Sequence, residues 1–135
     1  MKNLDVLAAR TAQGIIDDTK LMNGAKLEAG KVDNLVTKAL GVLQENGVYA
    51  AMLYLYSRTE KKDKFVAEKT RERLLSLLTD LEITGLPGTQ ASEALKFLTD
   101  KVCDDLDRLL LVKQLWEQAL IYARYGAKAR SAAGE

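Results

Sequence analysis

The sequence predicts an all-α fold, a single-domain helical bundle of about five to six helices over residues 1–135, and three observations carry that expectation. Apolar residues recur at spacings of three and four along most of the chain, the period that lines one face of an α-helix. Leu, Ala, Lys and Glu are abundant and Pro occurs once, a composition that favours helix. A chain of 135 residues is the size of one domain built around one core.

Leu4, Leu7, Ala8, Thr11, Ala12 and Ile15 form the first stripe, which should fade between Asp18 and Asn23 because Asn23-Gly24 and Gly30 mark a flexible connection. A second stripe, Val32, Leu35, Val36, Ala39, Leu40 and Leu43, ends at Asn46-Gly47, where glycine suits the position just past a helix. The stretch "VYAAMLYLYS" follows without a charge until Arg58. Val48, Ala51, Met52 and Leu55 make one stripe and the tyrosines fill much of the remaining circumference, so this short helix should be central, touching several neighbours.

One helix from about Lys61 to Leu81 should be solvated first and buried later, through Leu74, Leu75, Leu77, Leu78 and Leu81. Gly85, Pro87 and Gly88 end it in a turn. Thr89 or Ser92 should cap a short helix carrying Leu95 and Leu98. A last helix from about Asp104 to Ala129 should send Leu106, Leu109, Leu110, Val112, Leu115, Trp116, Ala119, Leu120 and Ala123 toward the core. Fraying is expected at about residues 1–3 and 130–135.

Several functional classes lose support. No apolar run reaches the length of a membrane span and the N-terminus lacks a signal-peptide core, so a cytoplasmic protein is expected, without membrane partners. Histidine is absent, which removes Ser-His-Asp and Cys-His catalysis and every His-ligated zinc site. Cys103 has neither a disulfide partner nor a histidine to activate it, and should pack as a small apolar residue. Asp100, Asp104 and Asp107 would share a face of a continuous helix, with Asp105 beside them, yet they lack the alternate spacing and central glycine of a calcium loop. A solvated acidic face accounts for them. "GLPG" precedes no Lys-Ser or Lys-Thr and is explained as a turn. No catalytic residue, metal or cofactor is therefore expected.

Charge distribution says more than the net charge of +1. Residues 58–73 carry seven basic side chains against four acidic, residues 80–107 two against seven, and residues 108–130 five against one. Separated patches of opposite sign attract different partners. Part of the pattern also complements the dipole of the last helix, acidic at its start and basic at its end. In "IYARYGAKAR", Tyr122 and Tyr125 alternate with Arg124 and Lys128, a pattern compatible with stacking on single-stranded nucleic acid or with half-buried tyrosine packing.

Arg10 in "AARTAQG", the corner and apolar helix "ENGVYAAMLYLYSR", and the final "LWEQALIYARYGAKA" together resemble the small all-helical subunit of type III-B CRISPR effector complexes, the Cmr small-subunit family. The resemblance covers most of the chain. Where the family has Arg-Ala, Asn-Gly-Leu and a Trp followed by two basic residues, this chain has Arg10-Thr11, Asn46-Gly47-Val48 and Tyr122-Ala123-Arg124-Tyr125. The resemblance implies a non-catalytic subunit whose copies stack along the backbone subunits and help hold target RNA against the guide RNA. Its partners would be other Cmr effector subunits, further copies of itself and the guide RNA/target RNA duplex.

On that basis Arg10, Arg58, Arg124 and Lys128 are the candidate RNA contacts, through phosphates rather than bases. Arg10 and Arg58 stand on the family-like motifs, and Arg124 and Lys128 are one helical turn apart. Asp104 and Asp107 are the candidate contacts to the next copy, because heterologous contacts that do not close a ring make filaments. Two other classes compete: a helical interaction module that never touches nucleic acid, and a metal-dependent enzyme built on the Asp cluster, which would bind a divalent ion through Asp104.

Overall fold

The computed structural model describes residues 3–134, and among them the chain forms six helices and one short hairpin. Helix α1 spans Leu4–Asp18 and starts where the Asn3 side chain accepts the Val6 N–H, filling one of the donors that a helix start leaves open. Asn23-Gly24 does not open a flexible connection. Strands β1 (Leu21–Met22) and β2 (Ala25–Lys26) pair antiparallel across it, and Asn23 and Gly24 both have positive φ, as a two-residue turn matching the strand twist requires.

Helix α2 covers Ala29–Asn46 and α3 covers Val48–Tyr56, with Gly47 alone between them. Gly30, expected in the connection, lies inside α2. Gly47 holds φ 95° and ψ −173°, a region that side chains exclude. The expected stripe of α3, Val48, Ala51, Met52 and Leu55, is buried, and the helix packs against α2 and three later helices. It is not enclosed all round: Tyr49 and Leu53 are exposed, one turn apart.

Helix α4 runs Lys61–Asp80, capped by the Glu60 carboxylate on the Asp63 N–H at 2.9 Å. The following turn is held to the core by buried Ile83. Helix α5 spans Ala91–Lys101 and its N-cap is Gln90 rather than Thr89 or Ser92. Helix α6, Leu106–Ala132, begins at Asp105, whose carboxylate accepts the Arg108 N–H, and continues past the expected end at Ala129. Arg130 donates to the Leu27 carbonyl at 2.7 Å, which ties this last turn to the segment before α2. Met1, Lys2 and Glu135, within the stretches expected to fray, lie outside the described residues.

The core is one cluster drawn from every helix. Helix α6 is its axis, packed along α2 and α1, and touching α3 and α4. Trp116 is fully buried and its indole N–H donates to the Leu74 carbonyl at 3.1 Å, joining α6 to α4. Helix α1 is joined to α4 by a bidentate pair, with the Arg73 guanidinium donating to both oxygens of Asp18 at 2.7 and 3.0 Å. The carboxylate raises the pKa of the Arg73 guanidinium above its ordinary value.

The start of α6 departs from its expected packing. Leu109 is half-buried, but Leu106 and Leu110 are 68% and 55% exposed. Leu109 continues the stripe of Val112, Trp116 and Ala119, whereas Leu106 and Leu110, one turn apart, fall on another side of α6 that no neighbouring element covers.

Candidate nucleic-acid interface

Arg124 and Lys128, one turn apart on α6, are brought together by the fold. Both point toward Asp33, in the second turn of α2: Lys128 Nζ is 3.2 Å from Oδ2, and Arg124 Nε is 4.0 Å from Oδ1. The Thr37 hydroxyl donates to the same Oδ1 at 3.1 Å from one turn along α2, which orients the carboxylate. Arg124 Nε is enclosed and makes no hydrogen bond, because 4.0 Å is an ion-pair separation and too long for one. A groove of about 320 Å³ adjoins the pair, with Gly30, Asp33, Lys128 and Ser131 on its walls. Asp33 carries no signal in the sequence that would single it out; only the meeting of the start of α2 with the end of α6 does so.

Of the two tyrosines on this stretch, one is committed. The Tyr122 hydroxyl donates to the Asp5 carboxylate of α1, which raises its pKa above the ordinary value of 10.0. Tyr125 is 62% exposed and lies one turn before Lys128, so it is the aromatic with a ring face open to a base.

Arg58 is placed differently. It follows α3, its guanidinium lies over the Tyr54 ring at 4.4 Å from the centroid, and it donates to the Ser57 hydroxyl at 3.1 Å. Stacking holds the cation in a defined place while leaving its charge unneutralised. Arg10 stands exposed on α1, with no ion pair or hydrogen bond among the described residues. No shared residue joins Arg10, Arg58 and the Arg124–Lys128 pair.

The basic segment 58–73 divides by role. Arg73 is used internally on Asp18, and Arg71 stacks over Tyr56 at 4.2 Å, in a groove of about 550 Å³ that also has Glu68 and Glu72 on its walls. Lys61, Lys62 and Lys64 remain at the start of α4, on its solvated side.

The acidic residues do not lie on one helix face. Asp100 belongs to α5 and Asp107 to α6, with a turn between them containing Asp104 and the capping Asp105, so the continuous helix that would have aligned them is broken. Asp104 and Asp107 are exposed and flank Leu106. Among the described residues no group of three or more carboxylate, thiol or imidazole ligands converges on a metal position. Burial, with a smaller effect from Asp104, pushes the Cys103 thiol pKa up, away from the thiolate that nucleophilic chemistry needs.

No helix among the described residues is long and apolar enough to cross a membrane. No family model, curated protein or solved structure matches the chain.

Proposed function

We propose that the chain is a non-catalytic small subunit of a type III-B CRISPR-Cas effector complex in the cytoplasm, stacking along the backbone subunits and helping hold target RNA against guide RNA in antiviral defence. The observation that carries the reading is the pairing of two surfaces on one bundle. Arg124, Lys128 and exposed Tyr125 offer a cationic and aromatic strip at one end of α6. Leu106 and Leu110, flanked by Asp104 and Asp107, offer an uncovered apolar and acidic strip at the other. A subunit that touches phosphates and also a neighbouring copy needs both.

In an assembled complex, alanine at Arg10, Arg58, Arg124 and Lys128 weakens RNA retention and flattens its salt dependence by about 0.7 to 0.9 log–log units for each phosphate no longer neutralised. A salt slope identical to wild type removes these residues from the RNA path. Charge reversal at Asp104 and Asp107 impairs stacking of the copies; unchanged assembly removes that role.

A second reading, a helical interaction module without nucleic-acid contact, is favoured by one observation: Asp33 already engages Arg124 and Lys128. It predicts binding of a protein partner through Leu106 and Leu110 and no salt-dependent RNA binding in any assembly.

A further inference from the structure

We infer that Asp33 limits how strongly the α6 strip holds a polyanion, acting as a built-in counter-charge that an incoming phosphate must displace. The inference rests on the reading of Arg124 and Lys128 as phosphate contacts and adds a residue that the reading does not require. One carboxylate serves two cations, Oδ1 facing Arg124 and Oδ2 facing Lys128, so the local charge is about +1 where the sequence alone suggests about +2. The Thr37 hydroxyl bond keeps the carboxylate turned toward α6, and Asp33 is the least exposed of the three charged side chains, at 23% against 39% and 48%.

The arrangement is displaceable. Partly exposed ion pairs are individually weak, and the Arg124 Nε–H has no acceptor within hydrogen-bond distance. A phosphate oxygen entering beside Lys128 competes with Asp33 for that ammonium and for the exposed part of the Arg124 side chain, at the cost of approaching the carboxylate. A single phosphate is therefore held poorly, whereas a strand already positioned by other contacts overcomes the repulsion. Weak but measurable RNA binding by the free subunit is expected, held down by this counter-charge as well as by the small net charge.

The test uses the full chain and a fluorescently labelled polyuridylate oligonucleotide, with anisotropy titrations across a roughly fourfold range of KCl beginning at low salt. Asp33→Asn binds more tightly than wild type and steepens the log–log salt slope by about 0.7 to 1.4, corresponding to about one or two phosphates on a single strand, so the fourfold rise in salt weakens it by up to about sevenfold more than wild type. Adding Arg124→Ala and Lys128→Ala to Asp33→Asn abolishes the gain. Asp33→Ser serves as a second variant, with thermal melts reporting whether each chain is folded; a merely structural role for Asp33 moves the melts and not the slope.

If Arg124→Ala/Lys128→Ala lowers binding while both Asp33 variants match wild type, the counter-charge is overturned and the phosphate reading stands. If no variant alters binding, the phosphate reading fails and the Asp33 inference fails with it. A gain that survives removal of Arg124 and Lys128 also overturns the inference, because it reports net charge alone.

Discussion

Replacing Gly47 by alanine isolates the backbone cost of the corner that turns α2 into α3. At φ 95° and ψ −173° a residue with a Cβ is strained by about 1–3 kcal/mol. A Cβ built at this position meets no heavy atom within 4 Å, so the cost is torsional and no repacking can relieve it. Alanine also narrows the unfolded ensemble, which offsets about 0.4–1 kcal/mol. The net expectation for Gly47→Ala is a destabilisation of about 1.3 kcal/mol at the middle of these ranges and at most about 2.6 kcal/mol, the middle value lowering the melting temperature by roughly 3–5 °C for a domain of this size.

Gly41 supplies the control. It lies within α2, and a Cβ there also meets nothing within 4 Å. Gly41→Ala should stabilise by about 0.5–1 kcal/mol, since alanine is the better helix former. Urea unfolding followed by circular dichroism at the helical band gives both values. Opposite signs support the corner geometry. A Gly47→Ala chain stabilised as much as Gly41→Ala would refute it, because the corner would then have adopted a conformation open to any residue.

Two further predictions test the packing and the helix caps. Trp116→Phe removes the buried indole donor to the Leu74 carbonyl and leaves a small void, costing about 1.5–3 kcal/mol by urea unfolding; a neutral result would mean that α6 and α4 are not joined there. At Glu60, the amides of Asp63 and, to a smaller extent, Lys62 hold the carboxylate pKa below its ordinary 4.5. The ionised form is therefore favoured by folding, so this cap contributes fully above pH 4.5 and fades as pH falls through the depressed value. The stability difference between wild type and Glu60→Gln should hold at neutral pH and close below pH 4.5, and a difference independent of pH would contradict the cap.

The helices that carry the core are legible because their burial repeats along the chain. The α2 stripe ends at Asn46-Gly47 in the sequence and in the fold, since a glycine after a periodic run is a local signal. The hairpin at Asn23-Gly24 is not legible in the same way, although that dipeptide suits a two-residue turn, because strands of two residues are too short to show alternation. Leu106 and Leu110 are exposed because, at about 100° per residue, they lie more than a quarter-turn from the face that Val112, Trp116 and Ala119 bury. Grouping every leucine of α6 with the core face overlooks that Leu109 lies on that face and its neighbour Leu110 does not. Asp33 and Asp18 give no sequence signal because each meets its cations across the bundle, on helices distant in the chain. Counting Arg73 within a basic segment overstates the free charge of α4, since a tertiary partner absorbs it.

The proposed membership in an RNA-guided effector assembly has a consequence inside the cell. The measurement that tests it most directly is recovery of the tagged chain from its native host, with half the sample treated with RNase and the copurifying proteins and RNAs identified. Membership predicts larger CRISPR effector subunits together with small guide RNAs. Unrelated partners, with no guide RNA in either half, would contradict it and leave a helical interaction module whose binding surface is centred on Leu106 and Leu110.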